Sequence, residues 1–299
     1  MTIFSRLLFA LTALICFSVA NAQRPDLSQT IEALEKNGCT TYELFKVKLC
    51  KYDYKVDGKN LEAITFKPEG DGPFAALLLI PGHATTARDW IPTGLTFARR
   101  GYAGIAVSQP GYGYSEGPAD FVGPKTIKAL SEGYRKFQRE PFVDAKRMGI
   151  VGYSRGGMAA SLLAVQLDDV KAVVLGAGVY DFKKAYDEVK IEGIRQNMER
   201  ETGMTKEAIR QRSSVLQMEN LKCPVLILHG EKDVNVPEGR QCSCQSGVVT
   251  ARQVDRAQEG FRDSTLPGQG AQHRAAEFVS IFAGFFEAEN SRRRKEVGA

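Results

Sequence analysis

Short apolar runs recur along the chain, each bounded by glycine, proline or polar turn residues: Ala75–Ile80, Ala103–Val107, Met148–Val151, Val170–Leu175 and Val225–Leu228. Runs this brief and this rich in Val, Ile and Leu predict strands covered on both faces, as in a mainly parallel sheet. Helical periodicity fills the intervals at Trp90–Arg100, Lys125–Arg139 and Gly156–Leu167. Alternation of this kind predicts an α/β fold with a doubly wound, mainly parallel sheet. Ahead of it, Glu43–Tyr54 and Leu61–Lys67 are more polar and predict a leading antiparallel pair. The stretch 181–220 breaks the alternation, being long, charged and helical in pattern. It is expected to be a helical cap inserted over the end of the sheet.

The start of the chain has a different pattern. Arg6 is its one charge, followed by an apolar run from Leu7 to Ala20 and the small-x-small sequence Ala20-Asn21-Ala22. The run is short for a bilayer-spanning helix, which needs about 20 residues. Residues 1–22 therefore read as a signal peptide cleaved before Gln23, an uncleaved anchor being the alternative. The expectation is an exported protein, periplasmic or secreted, with 23–299 as a single domain and no membrane association after cleavage.

Composition narrows the partners. Of 299 residues, 43% are hydrophobic and 25% charged, which excludes a disordered chain. Forty basic and 35 acidic residues leave a formal charge of +5 with no dominant basic block, so nucleic acid is not an expected partner. Removal of the leader takes Cys16 and leaves Cys39, Cys50, Cys223, Cys242 and Cys244. In an oxidising compartment Cys39 pairs locally with Cys50, and Cys223 with Cys242 or Cys244. Zinc held by Cys223, His229, Cys242 and Cys244 would require a spacing that matches no common pattern, so no metal is expected. Any imidazole chemistry must use His83, His229 or His273.

The chemistry concentrates where the Met148 strand meets the next helix. Gly152-Tyr153-Ser154-Arg155-Gly156 fits G-x-S-x-G, with a buried strand running in and a small-residue helix running out. The flanking glycines are needed because a Cβ there would strike the neighbouring strand or helix. The turn lifts the Ser154 hydroxyl to the carboxyl end of the sheet, at the positive end of the helix. Serine needs a base to act as nucleophile at neutral pH. In this fold class the partners follow in the order Ser, Asp or Glu, His. Asp233 comes just past the strand Val225–Leu228, with Glu231 as runner-up and Asp255 and Asp263 less well placed. His273 is the one histidine after Asp233 and is the expected base. The oxyanion donors are expected to be the backbone N–H of Arg155 and that of His83 or Ala84, in the loop after Ile80. Tyr153 is expected to contact substrate, Tyr112 and Tyr114 either line the pocket or stand as exposed loop aromatics, and His229 reads as structural. No organic cofactor is implied.

These residues resemble the alpha/beta-hydrolase superfamily over most of Phe66 to Glu287. L-L-L-I-P-G-H, Trp90 and R-R-G-Y-A-G-I-A-V-S-Q-P-G-Y-G-Y-S are similar to its oxyanion strand, first helix and next strand. Pro81-Gly82 stands where the family usually has His-Gly, and Ser108 where it usually has Asp. G-Y-S-R-G-G and R-S-S-V-L…C-P-V-L-I-L-H-G-E-K-D are most similar to the prolyl oligopeptidase and dienelactone hydrolase branches. The resemblance implies a serine hydrolase acting on a small-molecule ester or short peptide through an acyl-enzyme. A non-hydrolytic acyl transferase on the same fold and an inactive exported binding protein are the competing readings. The family's apolar strand ahead of its histidine has no clear counterpart in 239–270, where Val248-Val249 and Phe261 supply the apolar content.

Overall fold

The computed structural model describes residues 27–228 and 248–251. The leader 1–22, Asp233, His273, His229, Cys242 and Cys244 lie outside the described residues. In chain order the elements are α1 (Ser28–Asn37), β1 (Cys39–Tyr42), β2 (Val47–Lys51), β3 (Tyr54–Val56), β4 (Lys59–Leu61), β5 (Ala63–Lys67) and β6 (Phe74–Ile80). There follow α2 (Ile91–Arg99), β7 (Ala103–Val107), α3 (Pro124–Phe137), β8 (Val143–Tyr153), α4 (Arg155–Gln166) and β9 (Val173–Gly176). Next come α5 (Phe182–Glu188), α6 (Glu192–Thr202), α7 (Lys206–Arg212), a 3-10 helix Ser214–Asn220, β10 (Val225–Leu228) and β11 (Val248–Ala251).

Nine of the described strands join one sheet in the order β1-β2-β5-β7-β6-β8-β9-β10-β11. The ladders from β7 across to β11 are parallel, and those joining β1, β2, β5 and β7 are antiparallel. The fold is therefore α/β, with a mostly parallel central sheet and an antiparallel edge. β3 and β4 form a separate hairpin, Tyr54 opposite Leu61.

Side chains alternate across the pleat, so each central strand feeds two cores. From β6, Ala76, Leu78 and Ile80 join Leu130, Tyr134 and Phe137 of α3 and Leu162 and Leu163 of α4. Ala75, Leu77 and Leu79 face the other way, with Leu34 of α1 and Ile91, Leu95 and Phe97 of α2. Two-sided burial is why β7 reads as an unbroken apolar run; all five of its residues are buried.

The predicted disulfide is present: Cys39 and Cys50 are register partners across β1 and β2, with a Cα–Cα distance of 4.1 Å. Cys223 is buried. Val248–Ala251, read from sequence as a weak apolar pair in a polar segment, pairs in parallel with β10.

Between β9 and β10 the chain makes the helical excursion α5, α6, α7 and the 3-10 helix. Asp181 caps α5 by accepting from the Lys184 N–H at 3.0 Å, and Thr205 caps α7 by accepting from the Ala208 N–H at 3.1 Å. The two ends of the excursion meet: the Phe182 N–H donates to Ser213 Oγ at 3.0 Å, and the Val215 N–H to the Tyr180 carbonyl at 3.0 Å. No helix among the described residues is long and apolar enough to cross a membrane.

Candidate active site

Ser154 stands between the last residue of β8 and the first of α4, with φ 53° and ψ −119°. A non-glycine residue at positive φ costs about 1–3 kcal/mol and persists only where its surroundings fix it. Here they do so from both sides. The Ser154 N–H donates to the Gly176 carbonyl at the end of β9 at 2.7 Å, and the Ser154 carbonyl accepts from the Met158 N–H at 3.1 Å. The flanking glycines allow the turn: a Cβ on Gly152 would collide with the Gly156 carbonyl, and one on Gly156 with the Ile80 carbonyl. The second contact also seats the loop after β6 against the start of α4. At Gly82 a Cβ would lie 3.5 Å from Ser154 Cβ, so the loop expected to give the second oxyanion donor passes directly beside the serine. Ala84, two residues on, turns the loop at φ 56°.

The family's usual Asp after β7 is Ser108 here, and the structure supplies the missing carboxylate from elsewhere. Ser108 Oγ accepts from the Ala87 N–H at 2.8 Å and donates to Glu62 Oε2 at 2.7 Å. Glu62 also accepts from Arg88 Nε at 2.7 Å and from the Tyr114 N–H at 3.1 Å. Arg88 reaches on to Glu35 of α1. Glu62 thus ties together the loop after β6 and the loop after β7, which sequence reasoning missed because the partner comes from before β5.

His83 follows Gly82, and burial together with the neighbouring Arg155 charge lowers its pKa to about 4. Its Nε2 lies 3.3 Å from Asn197 Nδ2 of α6. Asn197 Oδ1 accepts from Arg200 at 2.5 Å, which leaves the amide nitrogen facing the imidazole. Nε2 is therefore an acceptor and Nδ1 carries the hydrogen. His83 Nδ1 is buried and has no hydrogen-bond partner.

Arg155 holds the position expected for the first oxyanion N–H, but its side chain was not anticipated. The residue is only 5% exposed. Its guanidinium lies over the Tyr112 ring, 3.7 Å from the centroid, and 5.8 Å from that of Phe121. Desolvation lowers its pKa, while Tyr112, Glu201 and Asp120 act in the opposite direction; an arginine remains charged at neutral pH all the same. Tyr112 and Phe121 are also the ring neighbours of His83, at 6.3 and 6.2 Å. Tyr112 thus borders the site, donating its hydroxyl hydrogen to Glu201 of α6 at 3.0 Å. Tyr114 is 70% exposed and carries Arg88 over its ring at 4.2 Å. The Tyr153 ring is half-buried and packs on the core of the α1–α2 side.

The structure therefore brings together Ser154, the Gly82–His83 loop, Arg155 and, unexpectedly, Phe121, Asn197 and Glu201. Asp233 follows Leu228 by five residues, and β10 ends at the edge of the sheet where Ser154 stands, Leu228 being in register with Gly176. Among the described residues no group of three His, Cys, Asp or Glu could hold a metal ion.

Comparison with known proteins agrees with this arrangement. The model of the prolyl oligopeptidase family matches residues 96–246. The Bacillus subtilis (strain 168) uncharacterized peptidase YtmA is 30% identical over 196 residues, covering 64% of this chain and 75% of that protein. Among solved structures, Pyrococcus horikoshii acylaminoacyl peptidase superposes with a TM-score of 0.64 at 20% identity, over 81% of this chain. The chain spans 41% of that peptidase's length. Acetyl xylan esterase 1 from Thermoanaerobacterium sp. JW/SL YS485 gives 0.57 at 17% identity, over 69% of this chain and 75% of the esterase. These two likenesses bear on the fold; the family match and the YtmA similarity go further. The chain belongs to the prolyl oligopeptidase family, and it is a serine hydrolase of the peptidase or esterase kind.

Proposed function

We propose that the protein is an exported serine hydrolase that cleaves a small-molecule ester or short peptide through an acyl-enzyme. Ser154 Oγ attacks the acyl carbonyl while His273 takes its proton, and Asp233 holds the imidazole. The oxyanion that forms is met by the backbone N–H groups of Arg155 and His83, each worth roughly 3–4 kcal/mol in comparable sites. The intermediate collapses, and His273 passes the proton to the departing alcohol or amine. Water then enters by the same route and releases the acid.

The observation that carries the reading is the strained Ser154 backbone, φ 53° and ψ −119°, held between Gly176 and the Gly82 loop. Strain of this kind presents a hydroxyl at a strand–helix turn and is characteristic of a nucleophile. The α6 side chains that reach His83 and Tyr112 support a cap role for 181–220 and a small substrate. Export is supported by the Cys39–Cys50 disulfide, a bond that persists in oxidising compartments.

A fluorophosphonate probe tests the chemistry. Labelling of the wild type, lost in Ser154→Ala and sharply slowed in His273→Ala, is the expected result. An unlabelled wild type rejects the enzyme. Mature protein recovered outside the cytoplasm with Gln23 at its amino terminus tests export.

A further inference from the structure

A buried charge with no counter-charge bonded to it is among the most expensive arrangements a fold can hold. Arg155 is such a case. Its Nε, Nη1 and Nη2 are all buried, and none meets an acceptor in hydrogen-bonding geometry among the described residues. The Tyr112 and Phe121 rings offer it aromatic faces, which attract a cation, and the Tyr112 hydroxyl, which donates to Glu201, is a neutral polar neighbour that brings no counter-charge.

The nearby carboxylates act on Arg155 through space only: the hydrogen bonds that their oxygens accept come from other groups. Glu201 accepts from the Tyr112 hydroxyl and Arg200 on Oε1 and from the Phe121 N–H on Oε2. Asp120 caps α3, accepting from the N–H groups of Gly123, Lys125 and Thr126 and from the Thr126 hydroxyl. Arg212, the other buried arginine here, shows what a satisfied guanidinium looks like in this fold. It donates to the carbonyls of Asp120, Phe121 and Ala208.

A second unmet donor lies beside the first. His83 Nδ1–H is buried without an acceptor, and His83 shares both ring neighbours with Arg155. A planar cation and a neutral N–H donor thus share the same two ring neighbours, and neither bonds to an acceptor among the described residues. Arg155 is also the residue that follows the nucleophile, and His83 follows Gly82, where the loop passes beside Ser154.

We infer that Arg155 and His83 form a binding site for a carboxylate on the substrate, and that the enzyme acts on esters or peptides carrying an acidic group close to the bond that is cut. The guanidinium supplies the paired donors that suit a carboxylate, and His83 Nδ1–H adds a third. This inference rests on Ser154 being the nucleophile, and it names the substrate class of that same site.

The test uses two p-nitrophenyl esters of equal length, the valerate and the hemiglutarate, in which a terminal methyl is replaced by a carboxylate. The wild type should show kcat/KM at least tenfold higher for the hemiglutarate, and Arg155→Met should bring the ratio to one or below. A wild-type ratio at or below one overturns the inference, as does a preference that survives Arg155→Met. Binding is read separately in the Ser154→Ala background, where no turnover occurs. Glutarate should raise the thermal midpoint there more than sulfate at equal ionic strength, and Ser154→Ala/Arg155→Met should lose the difference. No excess shift from glutarate overturns the inference. If Arg155→Met does not fold, the wild-type ratio and the Ser154→Ala shift decide. Absence of both ester hydrolysis and fluorophosphonate labelling would reject Ser154 as nucleophile while the glutarate arm still judges the anion site.

Discussion

Ser108 and Glu62 share one hydrogen bond, 2.7 Å from hydroxyl to carboxylate, at the position where related enzymes usually place an aspartate. The carboxylate comes from Glu62, just ahead of β5, and meets the end of β7 through the serine. Ser108→Asp would set two carboxylates against one another in a buried site. We expect it to destabilise the protein by about 1–3 kcal/mol in urea unfolding. Ser108→Asp/Glu62→Gln should recover much of that loss, because the like charges are no longer paired. A double-mutant cycle with no coupling would remove Glu62 from this role.

The Ser154 backbone predicts a stability difference between two inactive variants. Glycine accepts φ 53° without strain and alanine does not. Ser154→Gly should be more stable than Ser154→Ala by about 1 kcal/mol in denaturant midpoint, and neither should take up the fluorophosphonate. Equal midpoints would mean that the turn is not strained.

His83 gives the protein an acid sensitivity of known sign. Its folded pKa, about 4, lies below the ordinary value of 6.5. Between those two values the unfolded chain binds more protons than the folded one, so stability falls as pH drops through this window. The imidazole is partly exposed, and solvent screening reduces its share to on the order of 1–2 kcal/mol. His83→Gln should flatten the pH dependence of the urea midpoint from pH 6.5 to 4. An unchanged slope would show that His83 is not the group responsible.

The Cys39–Cys50 bond closes a short loop at the antiparallel edge. By chain entropy it should contribute about 3 kcal/mol. Cys39→Ser/Cys50→Ser should lower the unfolding midpoint accordingly and leave fluorophosphonate labelling of the folded protein at the wild-type rate. Loss of labelling without loss of stability would point instead to a direct role in the site.

How legible these features are in the sequence depends on how local their causes are. Ala103–Val107 and Val225–Leu228 coincide with β7 and β10, because burial on both faces demands a continuous apolar run. β1, β3 and β4 leave no pattern in the sequence: they are three or four residues long and bury one residue each, too few to show a period. The strand read at Met148–Val151 extends back to Val143, which pairs with Phe74; Asp144 to Arg147 fall in the register shift between that pair and Ala76–Met148 and carry no hydrophobic signature. The Ser154 turn is written in adjacent glycines and could be read directly. The surroundings of Arg155 could not, because Tyr112 and Phe121 come from the loop between β7 and α3 and Glu201 from α6.

The joined ends of the excursion from β9 to β10 mark natural cut points. Phe182 bonds to Ser213, and Val215 to Tyr180, so the helices α5 to α7 leave and re-enter the body at one doorway. The 3-10 helix beyond it is anchored separately, through a 2.8 Å hydroxyl pair between Ser214 and Ser161 of α4. A replacement for the stretch between Phe182 and Arg212 therefore needs termini that fit that doorway and partners for the groups it now meets on the body, the Phe121 N–H and the Asp120 carbonyl among them. The return path to β10 would stay intact. Nucleophile and oxyanion loop belong to the body, whereas Asn197 and Glu201 belong to the replaceable part. The outer wall of the site, given by Asn197 and Glu201, is thus carried on a separate stretch from the nucleophile, the oxyanion loop and Arg155, and the first can be redrawn while the second is kept.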